Sequence, residues 1–217
     1  MADIRQTTVI LDDFNRADES IIQSPWQLAY TSFGASPAQL FTNALRGRVF
    51  PPTASVSYWS TESYNGDGAE VWATAVGSAP QAEGWRMGLM SDVGGTSIDG
   101  YQCLMHNGIG PDTWGIRKYT NATFFTLASV QHALPIGQVE ICLMRCKGAQ
   151  VEVWSSVDAG ANWTLIVSAT DSTYRTNLYA VLGTTGKATG WDNFGAGSTQ
   201  NPWVPQYIRR TRRRGGR

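Results

Sequence analysis

Residues 140–167 read EICLMRCKGAQVEVWSSVDAGANWTLIV, and this stretch decides the fold. Glu140-Ile141-Cys142-Leu143-Met144-Arg145 is almost continuously apolar, the pattern of a strand covered on both faces. Lys147-Gly148 follows as a tight turn with a residue free to take positive φ. Val151-Glu152-Val153-Trp154-Ser155 then alternates, with Val151, Val153 and Ser155 on one face and Glu152 and Trp154 on the other. Asp158-Ala159-Gly160-Ala161-Asn162 is a second turn, and Trp163-Thr164-Leu165-Ile166-Val167 is rich in β-branched residues. Strand, turn, strand, turn, strand at this spacing predicts an antiparallel arrangement in an all-β domain.

The same period of two runs outward in both directions. Strands are expected at residues 7–14, 26–33, 44–49, 55–62, 70–76, 84–90, 101–106, 114–119, 124–129, 178–183 and 190–195. Turn signals lie between them: Asn65-Gly66-Asp67-Gly68, Gly94-Gly95, Asp99-Gly100 and Asn107-Gly108. No window of twelve or more residues carries a 3.6-residue period, so helices are not expected. The tripeptide Glu-Val-Trp occurs at Glu70 and at Glu152, too short to count as a repeat.

Composition agrees. Only 16% of residues are charged, while there are nine Trp, eight Tyr and seven Phe, which excludes a disordered chain and a helical bundle. No run approaches the ~18 apolar residues of a membrane-spanning helix. Met1–Gln6 carries Asp3 and no apolar core, unlike a signal peptide. Cys142 and Cys146 stand four apart, about 13 Å along a strand at ~3.3 Å per residue, too far to bridge each other. Cys103 could pair with either, but three buried free thiols are the expectation.

The zero net charge hides an asymmetry. Six of the seventeen basic residues stand in Arg209–Arg217, which holds no acid. Residues 1–208 therefore carry eleven basic residues against seventeen acidic ones. Residues 197–202 have the composition of a linker, and Trp203 to Ile208 is apolar with prolines at 202 and 205. The chain thus divides into a β-domain over 1–196 and an extended, Pro/Trp- and Arg-rich C-terminal arm over 197–217.

Two acidic-aromatic motifs bracket the domain: Asp12-Asp13-Phe14-Asn15-Arg16-Ala17-Asp18, followed by Trp26-Gln27-Leu28, and Gly190-Trp191-Asp192-Asn193-Phe194. With residues 151–165 and 171–183 between them, this order resembles the concanavalin A-like lectin/glucanase superfamily in its laminin-G-like form, over residues 7–196. The resemblance implies a two-sheet antiparallel jelly-roll sandwich whose first and last strands pair. Such pairing would bury Phe14 with Phe194 and cover two sheet edges. Asp13 and Asp192 would then sit at the rim as acceptors for turn backbone. A calcium site from these two, with Asp12 and Asn193, is the alternative reading.

The chemistry of the superfamily's enzymes is missing. Glucan-cleaving members carry Glu-x-Asp-x-x-Glu on a strand, which sets two carboxylates on one face. Here Glu70, Glu140 and Glu152 are each followed by apolar residues. A lyase cleft needs histidine among Arg, Gln and Tyr, and His106 and His132 are the only two, neither in a Gln-x-His setting. There is no Gly-x-Ser-x-Gly, no zinc-type Cys/His spacing and no Gly-x-x-x-x-Gly-Lys. No enzyme activity and no cofactor are expected.

Trp26, Trp72, Trp85 and Trp163 lie within strand patterns and are expected in the core. Trp59, Tyr64 and Asp67 flank one loop, and Asp112 and Trp114 another; each group could form a glycan platform of ring plus hydrogen-bonding carboxylate, or simply cover the rim. In the arm, Trp203, Tyr207 and Ile208 are apolar anchors ahead of Arg209, Arg210, Arg212, Arg213 and Arg214. The arm fits a solubilising tail, a phosphate tether or a strap onto an acidic protein surface, including a sister subunit. The acidic body and the lack of aromatics after Tyr207 argue against nucleic acid. A lectin-like sandwich opening on Leu11–Asp18 also resembles minor tail and tail-tip proteins of tailed bacteriophages. That implies a virion structural protein assembled in the host cytoplasm, with other virion proteins and host surface glycan as partners. A capsid decoration protein, a soluble lectin and a hydrolase or lyase of the same fold are the alternatives.

Overall fold

A computed structural model describes residues 4–5, 9–17, 24–29, 39–40, 44–46, 54–59, 61–65, 68–77, 83–93, 95, 97–107, 113–132, 139–185 and 189–198. Fourteen strands are found there: β1 (Trp26–Leu28), β2 (Gln39–Leu40), β3 (Leu45–Arg46), β4 (Ala54–Trp59), β5 (Glu70–Gly77), β6 (Glu83–Asp92), β7 (Asp99–Asn107), β8 (Thr113–Thr120), β9 (Thr123–Gln131), β10 (Glu140–Lys147), β11 (Gln150–Ser156), β12 (Thr164–Thr170), β13 (Tyr179–Thr185) and β14 (Thr189–Gly197). No helix occurs among the described residues. The arm residues Trp203, Tyr207, Ile208, Arg209, Arg210, Arg212, Arg213 and Arg214 lie outside them.

The strands form two seven-stranded antiparallel sheets, ordered β1-β4-β13-β6-β7-β8-β9 and β12-β11-β10-β5-β14-β3-β2. The stretch 140–167 is the consecutive arrangement its pattern predicts, with Lys147 opposite Gln150 across a two-residue turn and Gln150 opposite Thr170. Gly148 takes φ +57° in that turn, a value that costs a glycine little. The late strands β13 and β14 return to the middle of the two sheets, between β4 and β6 and between β5 and β3. That is the jelly-roll crossing, and it makes most contacts distant in sequence.

Alternate residues from both sheets meet in one core. Met87, Tyr101, Cys103, Trp114 and Leu182 come from the first sheet, and Val71, Cys142, Met144, Val153 and Trp191 from the second. Two indole hydrogen bonds cross between the sheets: Trp85 Nε1 donates to Gly190 O at 2.8 Å and Trp191 Nε1 to Gly183 O at 2.9 Å. Each gives a buried ring a partner for its one polar atom. All three cysteines are free and buried, and burial pushes the Cys103 and Cys142 thiols up.

The termini clasp as the bracketing motifs imply. Leu11 N donates to Phe194 O at 2.7 Å and Phe194 N to Asp12 O at 2.8 Å. Phe14 and Phe194 are buried, with the Trp26 ring between them at centroid distances of 5.6 and 4.8 Å. Asp12 fastens this stack: Oδ2 accepts Trp26 Nε1 at 2.8 Å, and Oδ1 accepts Phe14 N at 2.8 Å and Arg16 Nη1 at 2.7 Å.

The second sheet is covered on its outer face as well. Trp72, Leu143 and Trp163 form a buried cluster there, joined by Ile4, Ile141 and Trp154. Trp72 and Trp163 are therefore core residues, but of an outer layer rather than the inter-sheet space. The two Glu-Val-Trp tripeptides flank β10. Trp72 and Trp154 stand opposite Leu143, and Glu70 and Glu152 stand opposite Arg145. Arg145 donates to Glu152 Oε2 at 2.9 Å and to Ile4 O at 3.1 Å, and the Arg5 guanidinium lies 4.5 Å over Trp72.

Candidate functional site

The aromatic platforms expected from the sequence are placed differently. Tyr64 is 0% exposed, pairs through its backbone with Leu178, and has its phenol pushed up by burial. Trp114 is 1% exposed, on the core face of β8. A ring that stacks on a sugar must show a face to solvent, so neither can serve as drawn from the sequence. Period two hid this: each residue's alternation fits the core as well as the rim. Trp59 closes β4 opposite Trp26, and its side chain lies outside the described residues, as do Asp67 and Asp112.

At the proposed calcium position, Asp12 is engaged by the clasp, Asp13 Oδ1 accepts Asn15 N at 3.0 Å, and Asp192 Oδ1 accepts Asn193 N at 2.8 Å. Burial, with Asp13 and Asp12 nearby, pushes the Asp192 carboxyl up. Among the described residues, no group of three or more His, Cys, Asp or Glu is set to hold a metal ion. The observed role of Asp13 and Asp192 is the other one expected, that of accepting turn backbone.

The structure instead assembles polar groups at the β11–β12 corner. His132 follows β9, Glu140 opens β10, Ser155 and Ser156 close β11, and the Asp158–Asn162 turn leads to β12. They line a depression of about 200 Å³. Because Cys142 and Met144 face the core, Glu140, in phase with them, points between the sheets and is 1% exposed. His132 reaches it from the other sheet, Nε2 lying 3.4 Å from Glu140 Oε1, with Trp114 edge-on to the imidazole at 4.7 Å. Glu140 Oε2 is buried and finds no hydrogen-bond partner among the described residues.

The turn beside it is rigid. Asp158 Oδ1 accepts Ser156 Oγ at 2.7 Å and Asn162 N at 2.8 Å, and Oδ2 accepts Asn162 Nδ2 at 2.6 Å. These bonds, the Asn162 backbone first, hold the Asp158 carboxyl down at about 2. Gly160 N donates to Ser156 Oγ at 2.9 Å, so the hydroxyl is fixed by the turn rather than activated by the histidine. Asp158 also borders a second depression of about 430 Å³, floored by Thr74, Ile141 and Asn193 and walled by the exposed Val139 and Val157. Side by side, the two offer carboxylate, amide and hydroxyl groups next to apolar edges. Of these residues only the 158–162 turn stands out in the sequence; His132 and Glu140 come from opposite sheets, and no local spacing joins them.

No family model matches the sequence, and no curated protein matches it. Solved structures match by shape. The VIP36 exoplasmic/lumenal domain in its Ca2+/Man2-bound form superposes with a TM-score of 0.65 at 8% identity, over 92% of this chain and 90% of that one. Its Ca2+/Man3GlcNAc-bound form gives 0.63 at 9%, over 84% and 86%. The CBM2 module of the evolved Dit of Lactobacillus casei BL23 phage J-1 gives 0.56 at 10%, over 85% and 91%. The fold is the two-sheet jelly roll of these domains. In this sandwich, the corner described here joins both sheets at one end of β10 and β11.

Proposed function

We propose that this chain is a non-catalytic, carbohydrate-binding structural component of a bacteriophage virion, a minor tail or tail-tip protein that adheres to host surface glycan. The observation that carries the reading is the β11–β12 corner: a lectin-type sandwich bearing an open depression lined by the exposed Asp158, Asn162 and Thr164 together with the buried Glu140 and His132. The exposed Asp158, Asn162 and Thr164 offer bonds to sugar hydroxyls, and Val139 and Val157 suit the apolar face of a sugar ring. The shape likeness to a phage Dit module supports the tail assignment, and the basic arm over 197–217 supports attachment to neighbouring subunits. Trp59, with Asp67 and Asp112, remains a proposed outlying contact for a longer glycan.

The test is binding of the full chain to cell-wall polysaccharide and to an array of defined glycans. Binding is expected, and Glu140→Gln, which alters the carboxylate that His132 faces within the depression, should weaken it about tenfold. Binding to no glycan overturns the adhesive reading. Release of shortened sugars from a bound glycan overturns the non-catalytic one. Removal of residues 203–217 should leave a folded sandwich that no longer joins its assembly, and loss of the circular-dichroism signal on truncation would refute the arm as an appendage.

A further inference from the structure

The two depressions at the β11–β12 corner share a wall, since Val157 and Asp158 line both. The smaller opens beside His132 and Glu140; the larger lies over Thr74, Ile141 and Asn193. Only the larger, at about 430 Å³, reaches the ~300–1,000 Å³ of a small-molecule site. A ligand that uses both must cross the Val157–Asp158 ridge, which asks for a chain rather than a single sugar. The charges along that path have one sign. Bonds from the Asn162 backbone, the Asn162 amide and Ser156 hold the Asp158 carboxyl down at about 2, so it is ionised at any ordinary pH. None of those partners is a cation. Among the described residues, neither depression is lined by a lysine or an arginine. His132, the one lining group able to turn cationic, faces the Glu140 carboxyl at 3.4 Å. Arg145 stands four residues along β10 from Ile141, about 13 Å at ~3.3 Å per residue, and is engaged by Glu152. Asp192, next to Asn193, adds another carboxyl, with Asp13 and Asp12 near it.

Building on the glycan reading of this corner, we infer that it takes an uncharged oligosaccharide laid across the Val157–Asp158 ridge and rejects anionic ones, with Asp158 setting the choice. A carboxylate, sulfate or phosphate on the sugar would give up water on entering and meet no cation in return. It would also come close to the ionised Asp158, and like charges at that range repel. Hydroxyls carry no such penalty. They find Asn162 and Thr164 on one side of the ridge and Asn193 on the other, with Val139 and Val157 against the apolar ring faces. The surrounding body has the same sign, with eleven basic residues against seventeen acidic ones over residues 1–208.

The arginines of Arg209–Arg217 attract polyanions by themselves, so the experiment reads displacement from the corner rather than retention on the full-length protein. A fluorescent neutral oligosaccharide, taken from those the protein binds on a glycan array, is titrated with unlabelled competitors. These run from a single sugar to long oligomers, in matched pairs that are neutral or carry a carboxylate or sulfate on each sugar. Neutral oligomers should compete at least about tenfold better than the single sugar. At roughly 10 mM salt the anionic member of each pair should be at least about tenfold weaker, and roughly 1 M salt should shrink the gap. Val139→Lys sets a cation on the exposed wall of the larger depression and should bring the anionic member to within about threefold of the neutral one. Thermal unfolding checks that this variant is folded, and the salt series needs no variant. A single sugar that competes as well as the oligomers, or an anionic member that matches its neutral counterpart at low salt, overturns the inference. So does a protein that binds anionic glycans alone, an outcome that leaves the glycan reading standing. Binding to no glycan removes both.

Discussion

The clasp at the termini and the β11–β12 corner each set a carboxylate against a ring nitrogen, and they treat it in opposite ways. At the clasp, both oxygens of Asp12 are engaged, by Trp26, Phe14 and Arg16. At the corner, Glu140 is more deeply buried, its side chain 1% exposed against 8% for Asp12, yet among the described residues one oxygen has no partner and the other has only His132. Satisfied groups hold a fold together. A buried group left without a partner costs stability and needs another reason to be there. The difference separates a residue that ties the sandwich together from one that lines its open depression.

Asp12→Ala tests the first half and should have the largest effect. It strands the Trp26 indole N–H and the Phe14 N–H, and loosens the stack of Phe14, Trp26 and Phe194. The expected loss is about 3 kcal/mol, read as a shift in the urea midpoint with unchanged slope. Glycan binding by the molecules still folded should be unaltered. A variant with ordinary stability and weak binding would reverse the roles of the two regions.

Gly195→Ala should come next. A Cβ at Gly195 would lie 2.4 Å from the Trp72 ring, so the indole needs a glycine beneath it. Overpacking there should cost about 1–3 kcal/mol and shift tryptophan fluorescence, since Trp72 would be forced outward against Arg5.

What could be read in the sequence follows from the range of the interactions. Period two and the Gly/Asn turns are local, and they locate nearly every strand. The Asp12–Phe14 and Asp192–Phe194 motifs announce the clasp because both are compact and lie near the two ends of one domain. The two Glu-Val-Trp tripeptides look trivial in one dimension, yet they flank β10 and place Glu152 and Trp72 on either side of its outer face. Tyr64 and Trp114 could not be told from rim residues, because alternation does not say which face is covered. The corner is the least legible part: His132 and Glu140 meet across two sheets, and the loop between them carries no motif.

Glu140→Gln sharpens the comparison from the other side. Replacing a buried carboxyl that, among the described residues, lacks a full set of partners should leave stability unchanged or slightly raised, the opposite of Asp12→Ala. The same variant weakens glycan binding, so stability and binding move independently. A large stability loss would mean that Glu140 belongs to the fold in the way Asp12 does.

Acid titration gives the smallest effects and a clear sign. At Asp171, burial pushes the carboxyl up, but bonds from Lys118, Tyr101 and Thr173 outweigh it and hold it well below the usual carboxylate range. A folded value below the unfolded one stabilises the protein near neutrality, and that contribution is lost as pH falls through and below the ordinary Asp range of about 4. Asp192 has the opposite sign. Its raised value means the charged form is disfavoured in the folded state, so its protonation adds stability as pH falls into that range. Asp171→Asn should therefore lower the melting temperature at neutrality and flatten its fall in acid. Asp192→Asn should raise it slightly at neutrality and make the fall steeper, because the compensating protonation is gone. Melting curves of both variants against pH check the pair. Parallel curves for the two would show that Asp192 is held by its turn as firmly as Asp171 is by Lys118, and that the rim beside the clasp carries no electrostatic strain.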